Sequence, residues 1–192
     1  MRPNAKRREA CMRYGRIKHE WVQHRLLCIP EGDLPPSEGI SPKTKLACGH
    51  TAGFVTHPFA HLDIRIEQLK TQLKACHMKV VGSEIPVELD LYDQLAKRDT
   101  NVSRADLLVE YTDGPHTGQV ATIEMKFGCH KLFQQPMTGF KYKTKRSHHS
   151  QASKYPRLWN ASANRKTIGK CVHGFILYME ALPNTIKIVK AV

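Results

Sequence analysis

The segment from residue 103 to residue 128 constrains the fold of this chain more than any other stretch of its sequence. Two runs of apolar and β-branched residues, 105–111 and 119–127, flank a cluster of turn-forming residues that includes Asp113, Gly114, Pro115 and Gly118. Turn residues between two such runs are typical of a β-hairpin whose loop is longer than the tightest two-residue turn. We therefore predict two neighbouring antiparallel strands here.

Three charged side chains lie at one end of this predicted hairpin: Asp106, Glu124 and Lys126. Residues two apart on a strand face the same side, and so do residues directly opposite each other across an antiparallel pair. A loop centred on Pro115 pairs Asp106 with Glu124, whereas a loop centred on His116 pairs it with Lys126. Either register brings two carboxylates and an ammonium together. Because close carboxylates repel each other, a divalent metal is their natural partner and the lysine a natural neighbour.

The charge balance of the chain indicates a polyanionic partner. Its 192 residues include 30 Lys and Arg against 17 Asp and Glu, which gives a net charge of +13. A surplus of this size favours nucleic acid, with DNA as the first expectation, although it is also compatible with a merely basic soluble protein. The oligomeric state cannot be read from such a balance.

Membrane and disulfide classes are disfavoured by the sequence. No apolar run approaches the roughly 18 residues of a membrane span, and the N-terminus lacks the apolar core of a secretory signal. We expect an intracellular protein, and Lys6-Arg7-Arg8 is compatible with nuclear import in a eukaryotic or viral setting. The six cysteines form no Cys-x-x-Cys pair, so free thiols are expected. Cys48, His50 and His57 lack the spacing of a structural zinc site.

The first 58 residues differ in composition from the rest. We predict a basic helix over residues 5–27 that ends before Pro30, followed by a Pro- and Gly-rich loop up to residue 58. A core over residues 59–192 follows, and one compact domain overall is the default for this length. The first region is thus expected to form a basic N-terminal helical arm.

The core reads as helix, three strands, a basic helix and two strands. Apolar residues spaced by three and four predict a helix over residues 59–78, and residues 79–91 read as a strand in which Pro86 indicates an edge or a break. On a helix within residues 147–164, Gln151, Tyr155 and Trp159 would share one face. Pro156 is unfavourable inside a helix, so the helix either begins near residue 155 or is kinked at the proline. Runs 172–182 and 185–189 predict a second hairpin. The fold class is α/β (α+β), with a central mixed sheet flanked by helices.

A basic segment over residues 128–150 follows the first hairpin. Its cations alternate with Phe133, Phe140 and Tyr142, a composition that suits a groove for a phosphate backbone with stacking platforms for unpaired bases. A flexible basic surface loop is the other interpretation. The candidate nucleic-acid-binding residues are Arg104, Lys131, Lys141, Lys143, Lys145 and Arg146.

The order of these elements and motifs resembles a known enzyme superfamily. Asp106, seventeen residues and then Glu124-x-Lys126 resemble the signature of the PD-(D/E)xK nucleases, although Ala105 replaces the usual proline before the acid. Downstream, Gln151-x-x-x-Tyr155 resembles the QxxxY signature of the RecB and lambda-exonuclease branch. The resemblance covers roughly residues 60–182 and implies a restriction-endonuclease-like core.

The resemblance also implies roles for particular residues. Asp106, Glu124 and the backbone carbonyl of Met125 would hold Mg²⁺ or Mn²⁺, and Lys126 would orient the attacking water. Gln151 and Tyr155 would position the substrate. The family often adds an acid from the first core helix, for which the candidates are Glu67 and then Glu88 and Glu84.

The implied activity is hydrolysis of phosphodiester bonds in DNA, with RNA as an open alternative. Cleavage from ends or within a strand, and sequence specificity, stay open. Only Cys171 follows Tyr155, so that the iron–sulfur centre of some RecB-branch enzymes is not expected. The competing hypothesis is a non-catalytic basic protein that binds nucleic acid on an inert scaffold of the same kind.

Overall fold

A computed structural model describes most of the predicted core and part of the N-terminal region. The described residues are 15–16, 18–19, 21–23, 25–27, 60–87, 103–128, 132–133, 139–182 and 185–191. The predicted loop over 29–58, together with Glu88 and Lys131, lies outside them. The chain divides into two compact units, Met1–Glu67 and Gln68–Val192. The boundary that the sequence predicts after residue 58 stays a prediction.

In the first unit, the described residues between 15 and 26 are helical, as the sequence predicts. Trp21 is buried, and its indole N–H donates to Asp63 Oδ1 at 2.9 Å. The Arg25 guanidinium lies 4.9 Å from the centroid of the Trp21 ring and 3.9 Å from Asp63 Oδ1. A cation over an indole face and beside a carboxylate is stabilised by both. One cation of the predicted basic arm, Arg25, therefore lies beside a carboxylate and an aromatic ring.

Helix α1 spans Ala60–Ala75, close to its predicted limits. Leu62, Ile66, Leu69 and Leu73 are buried at the predicted spacing of three and four residues. Asp63 lies in the first turn and Lys74 in the last, where each offsets the partial charge of the helix terminus. His77 has a φ of 52°, a left-handed conformation that ends the helical path before the first strand.

The second unit is built on one five-stranded mixed sheet. Its strands are β1 (Met78–Pro86), β2 (Arg104–Tyr111), β3 (Val120–Lys126), β4 (Cys171–Leu182) and β5 (Thr185–Ala191), and they lie in that order across the sheet. Strands β3 and β4 are parallel, whereas the other neighbours are antiparallel. Pro86 ends an edge strand, as predicted. No helix among the described residues is long and apolar enough to cross a membrane.

Two helices connect the parallel strands β3 and β4 along the chain. Helix α2 spans Gly139–Ala161, and the short helix α3 spans Asn164–Thr167. Parallel neighbours require a long connection, and here α2 supplies it and packs against β4 and β3. The predicted order of helices and strands is therefore confirmed, and the architecture is α+β with a mixed sheet.

The first hairpin adopts one of the two predicted registers. Leu107 pairs with Ile123 and Glu110 with Val120, which corresponds to a loop centred on Pro115. Extending this register by one pair places Asp106 opposite Glu124. All of β3 except its last residue is buried, and a one-residue slip would move each side chain to the opposite face of the sheet.

Helix α2 runs through Pro156 without interruption, so that a helix start near residue 155 is wrong. Because Pro156 has no N–H, it cannot donate to the carbonyl of Ala152. That carbonyl lies against Gly174 of β4, where an added Cβ would come within 2.1 Å of Ala152 O and 3.3 Å of Pro156 Cδ. The proline and the glycine together thus allow the helix to approach the sheet closely.

Replacing Gly174 with alanine should destabilise the protein strongly. Its new methyl group would overlap backbone atoms of α2, and the helix would have to move away from β4. We expect Gly174→Ala to lower the free energy of unfolding by about 3 kcal/mol or more, measured by denaturant titration.

Gly82→Ala provides the matched control for this substitution. A Cβ at residue 82 would come closest to the side chain of Ile85, at 3.0 Å from Cδ1, and would meet no backbone atom among its nearest neighbours. This variant should stay within about 1 kcal/mol of the wild type. Equal losses in the two variants would contradict a backbone contact specific to Gly174.

Candidate active site

The centre of the candidate site is the carboxylate of Glu124, which is only 5% exposed. Its Oε1 accepts hydrogen bonds from Lys126 Nζ at 2.6 Å and from Gln151 Nε2 at 2.8 Å. Its Oε2 accepts from the hydroxyl of Tyr155 at 3.0 Å. A buried carboxylate requires such donors, because burial without them costs several kcal/mol. Lys126, Gln151 and Tyr155 therefore all donate hydrogen bonds to Glu124.

Asp106 lies on the neighbouring strand, in the register that places it opposite Glu124. Its Oδ2 accepts the backbone N–H of Met125 at 2.5 Å, so that the acid is fixed against β3. It is half-buried, and its charge acts on Glu124. The two carboxylates and the lysine ammonium are thus gathered at the end of β3, as the sequence predicts.

Helix α2 supplies the other side of this cluster. Gln151 and Tyr155 are one turn apart, and Gln151 Nε2 also lies 2.7 Å from the Tyr155 hydroxyl. Gln151 Oε1 accepts from Lys126 Nζ at 3.2 Å. One turn further, Trp159 is fully buried and donates its indole N–H to the Gly169 carbonyl at 2.8 Å. Gln151, Tyr155 and Trp159 thus follow one another at helical turns of α2, as predicted, and the first two contact Glu124.

The environment of Glu124 perturbs its titration. Burial raises the pKa of Glu124 above its usual value, and the negative charge of Asp106 raises it further. The ammonium of Lys126 and the hydroxyl of Tyr155 oppose this effect. Burial and the charge of Glu124 also raise the pKa of Tyr155 well above its usual range. Tyr155 is therefore a neutral hydrogen-bond donor at physiological pH.

The residues of the site fit a hard divalent cation. Two carboxylates on adjacent strands repel each other, and a cation relieves that repulsion. Mg²⁺ prefers oxygen ligands and retains several waters, so that it needs few protein ligands. Among the described residues, no cluster contains three or more His, Cys, Asp or Glu side chains placed to hold a metal. This excludes a richer ligand set only within that part of the chain.

The three candidates for the additional acidic ligand are Glu67, Glu84 and Glu88. Glu67 is exposed on α1, and Glu84 is exposed on the edge strand β1, where its φ is 51°. Glu88 lies outside the described residues. A role for any of the three as a further ligand stays a prediction.

Sequence reasoning missed His148. This residue lies on α2, one turn before Gln151, and its Nδ1 is 3.3 Å from the hydroxyl of Tyr178. Tyr178 is the neighbour of Lys126 across the parallel strands. Burial and the charges of Lys126 and His149 lower the pKa of His148 to about 4. The available signal was its spacing of three residues from Gln151, which places both side chains on one side of a helix.

His116 lies far from this cluster, as the hairpin predicts. Its ring contacts the rings of Tyr111 and His173 at the loop end of the sheet, with centroids 5.4 Å and 5.1 Å away. Tyr111 and His173 are joined by a hydrogen bond of 2.7 Å. These side chains form a separate cluster.

Most of the predicted nucleic-acid-binding residues lie on a helix. Residues 139–150 form the first half of α2, so that a flexible loop is the wrong interpretation for them; the cations concerned are Lys141, Lys143, Lys145 and Arg146. No Asp or Glu occurs between Lys126 and Glu180 in the sequence. Arg104, by contrast, donates to the backbone carbonyl of Glu84 at 3.1 Å. Lys131 lies outside the described residues.

No protein-family model matches the sequence, and no curated protein matches it. The function is therefore inferred from the side chains of the site.

Replacing Asp106 with asparagine should lower the pKa of Glu124. Asparagine retains an oxygen that can accept the Met125 N–H, but it removes the negative charge that raises the pKa of Glu124. We expect the Glu124 titration, followed by carboxyl-carbon NMR in metal-free buffer, to move to lower pH. Asp113→Asn, an exposed position in the hairpin loop, is the control and should leave it in place. An unchanged Glu124 titration in Asp106→Asn would contradict the proximity of the two acids.

Replacing Lys126 with methionine should raise the pKa of His148. Burial is the main cause of this pKa of about 4, and loss of the ammonium removes one of the two positive charges that lower it further. The imidazole titration should therefore shift to higher pH in nitrogen-detected NMR. Lys190→Met is the control: it should raise the lowered pKa of His173, on which Lys190 acts, and leave His148 unchanged. The same shift of His148 in both variants would refute the contact between α2 and the end of β3.

Proposed function

We propose that this protein is a metal-dependent nuclease that hydrolyses phosphodiester bonds, with DNA as the favoured substrate. One observation carries the proposal: a buried glutamate, Glu124, is held by Lys126, while Asp106 of the next strand accepts the N–H of the adjacent Met125. The resemblance to PD-(D/E)xK nucleases supports it, as does the net charge of +13.

The proposed fold is a restriction-endonuclease-like core. In support of it, the motif lies on two adjacent central strands, and α2 returns the chain from β3 to a parallel neighbour. Helix α2 also carries Gln151 and Tyr155, the pair that resembles the RecB-branch signature. Fold alone does not fix an activity, so the proposal depends on the site.

Asp106, Glu124 and the backbone carbonyl of Met125 would hold Mg²⁺ or Mn²⁺. When bound, such an ion polarises a phosphate and lowers the pKa of a coordinated water. Lys126 would orient the attacking water and offset the negative charge that develops on the phosphate. Hydrogen bonds to Glu124 and Gln151 hold the ammonium of Lys126 beside the Glu124 carboxylate.

Gln151 and Tyr155 would act as positioning residues. Tyr155 stays neutral and donates to one oxygen of Glu124, while Gln151 donates to the other. They thus fix the orientation of the carboxylate before substrate arrives, which is how a preorganised site avoids rearrangement during the reaction. Substitution of either should affect the rate less than loss of an acid.

A second candidate function is supported by the same contacts. Both oxygens of Glu124 already accept hydrogen bonds from protein groups, as they would in a cluster that only stabilises the fold. The protein would then bind nucleic acid through its cations without cleaving it. Such a protein would retain binding but show no metal-dependent product.

Cleavage assays distinguish the two functions. Circular plasmid, linear duplex, single-stranded DNA and a matched RNA strand are incubated with Mg²⁺, Mn²⁺ or EDTA. We expect metal-dependent products on DNA, and about 10²-fold or greater loss of rate in Asp106→Asn, Glu124→Gln and Lys126→Met, with binding retained. Cleavage of the circular plasmid shows endonuclease activity, whereas restriction to linear substrates shows that ends are needed.

Lys79→Gln is the control for these variants. Lys79 lies on the edge strand, where its ammonium is 3.0 Å from Glu110, and its replacement should leave the rate unchanged. Full activity in the Glu124 and Lys126 variants would refute the site. Binding without metal-dependent products in the wild type would favour the non-catalytic function.

A further inference from the structure

Two lysines from different elements converge on one aromatic ring beside the candidate site. The ammonium nitrogens of Lys145 and Lys187 each lie 5.0 Å from the centroid of the Phe133 ring. Lys145 comes from α2 and Lys187 from β5, so that the fold, and not the local sequence, brings them together. The two nitrogens are therefore within twice that distance of each other. We refer to Lys145 and Lys187 as the lysine pair.

The lysine pair is an arrangement of like charges. Such charges repel each other, and the face of the aromatic ring attracts each of them. Within the described part of the chain, neither ammonium forms an ion pair with a carboxylate. Residues 127–179 contain no acid, and the next acid in the sequence, Glu180, accepts a hydrogen bond from the Gly128 N–H. An anion from outside the protein would satisfy both lysines.

The lysine pair is connected to the candidate site through Tyr178. The Phe133 ring packs edge-on against Tyr178, with centroids 4.9 Å apart. Tyr178 is buried, and it is the neighbour of Lys126 on one side and of Lys187 on the other. His148 lies over the same tyrosine, and its lowered pKa keeps it neutral. It therefore adds no charge between the lysine pair and Lys126. The lysine pair and Lys126 thus lie at one end of the sheet.

This geometry changes the role expected of Phe133. A base-stacking platform needs a free ring face, but two ammonium groups lie over this ring. The ring instead keeps the two flexible lysine side chains near each other, which lowers the entropy that they lose when they bind an anion. Phosphates that repeat along a strand are the anions that match such a site next to a phosphodiester-cleaving centre.

We propose that the lysine pair binds a phosphate of the substrate strand outside the bond that is cleaved, and so holds the strand in position across Lys126. This inference rests on the proposed function, since it names the path of that enzyme's substrate. The ligand is a polynucleotide, because a free phosphate or a mononucleotide would reach either the lysine pair or Lys126, but not both. Lys145 and Lys187 are binding residues in this account and take no part in bond cleavage.

Binding measurements test the lysine pair without any cleavage. Fluorescence anisotropy with a labelled single-stranded 12-mer in EDTA gives the affinity as a function of salt for the wild type and for Lys187→Gln. We expect affinity to fall on the order of threefold to tenfold, and the slope of log K against log salt to fall by about 0.7 for the one lost phosphate contact. The double variant Lys145→Gln/Lys187→Gln should lose more than either single variant.

Lys190→Gln is the matched control. Lys190 is exposed on the same strand, but its neighbour across the sheet is Phe175, three residues away from Tyr178. It removes the same charge from the protein, so a purely general electrostatic effect would lower affinity equally in Lys187→Gln and Lys190→Gln. That equality, or an unchanged salt slope in Lys187→Gln, would overturn the proposal. Phe133→Leu, with circular dichroism to confirm folding, should weaken binding as the lysines lose their common ring.

Cleavage kinetics separate failure of this inference from failure of the proposed function. For Lys187→Gln we expect a raised KM on the 12-mer with kcat little changed, and no change on a dinucleotide that is too short to reach the lysine pair. An equal loss on both substrates would contradict a remote phosphate contact. If the wild type cleaves nothing, the nuclease proposal fails, and with it the path across a cleavage site. If it cleaves while Lys187→Gln binds and cleaves normally, only the lysine pair fails.

Discussion

The structure depends on the burial of one carboxylate. Glu124 lies inside the contact between β3 and α2, where an unpaired charge would cost several kcal/mol, and donors from both elements compensate that cost. Lys126 comes from the same strand, and Gln151 and Tyr155 come from the helix. The hydrogen bonds that make burial tolerable therefore also fix the helix on the sheet. Burial and the charge of Asp106 nevertheless raise the pKa of Glu124.

The position of α2 follows from a second constraint. Pro156 frees the carbonyl of Ala152, and Gly174 leaves room for it, so that the helix approaches β4 more closely than a side chain would allow. This approach brings Gln151 and Tyr155 within hydrogen-bonding distance of Glu124. It also sets the first half of α2, which carries cations and no acid, beside the same end of the sheet. One helix thus carries both the two donors to Glu124 and a run of cations.

The sequence predicts the local elements and the motif well, because both depend on short-range patterns. The turn residues predict the hairpin but leave two registers, with loops centred on Pro115 or His116, whereas the alignment of Gln151 with Tyr155 follows from helical periodicity. Contacts between distant elements could not be predicted in the same way. Nothing near Gly174 indicates that Pro156 will lie against it, and nothing near Lys187 indicates a common ring with Lys145. His148 was missed because its significance depends on Tyr178, which is on another strand.

The central claim is that Asp106 and Glu124 form a cation site. The most direct test is anomalous X-ray diffraction from crystals of the protein grown or soaked with Mn²⁺. The account predicts an anomalous peak in contact with both carboxylates and the Met125 carbonyl, and its disappearance in Glu124→Gln crystals. A well-ordered Glu124 that keeps its contacts to Lys126, Gln151 and Tyr155 at saturating Mn²⁺, with no peak beside it, would contradict the claim.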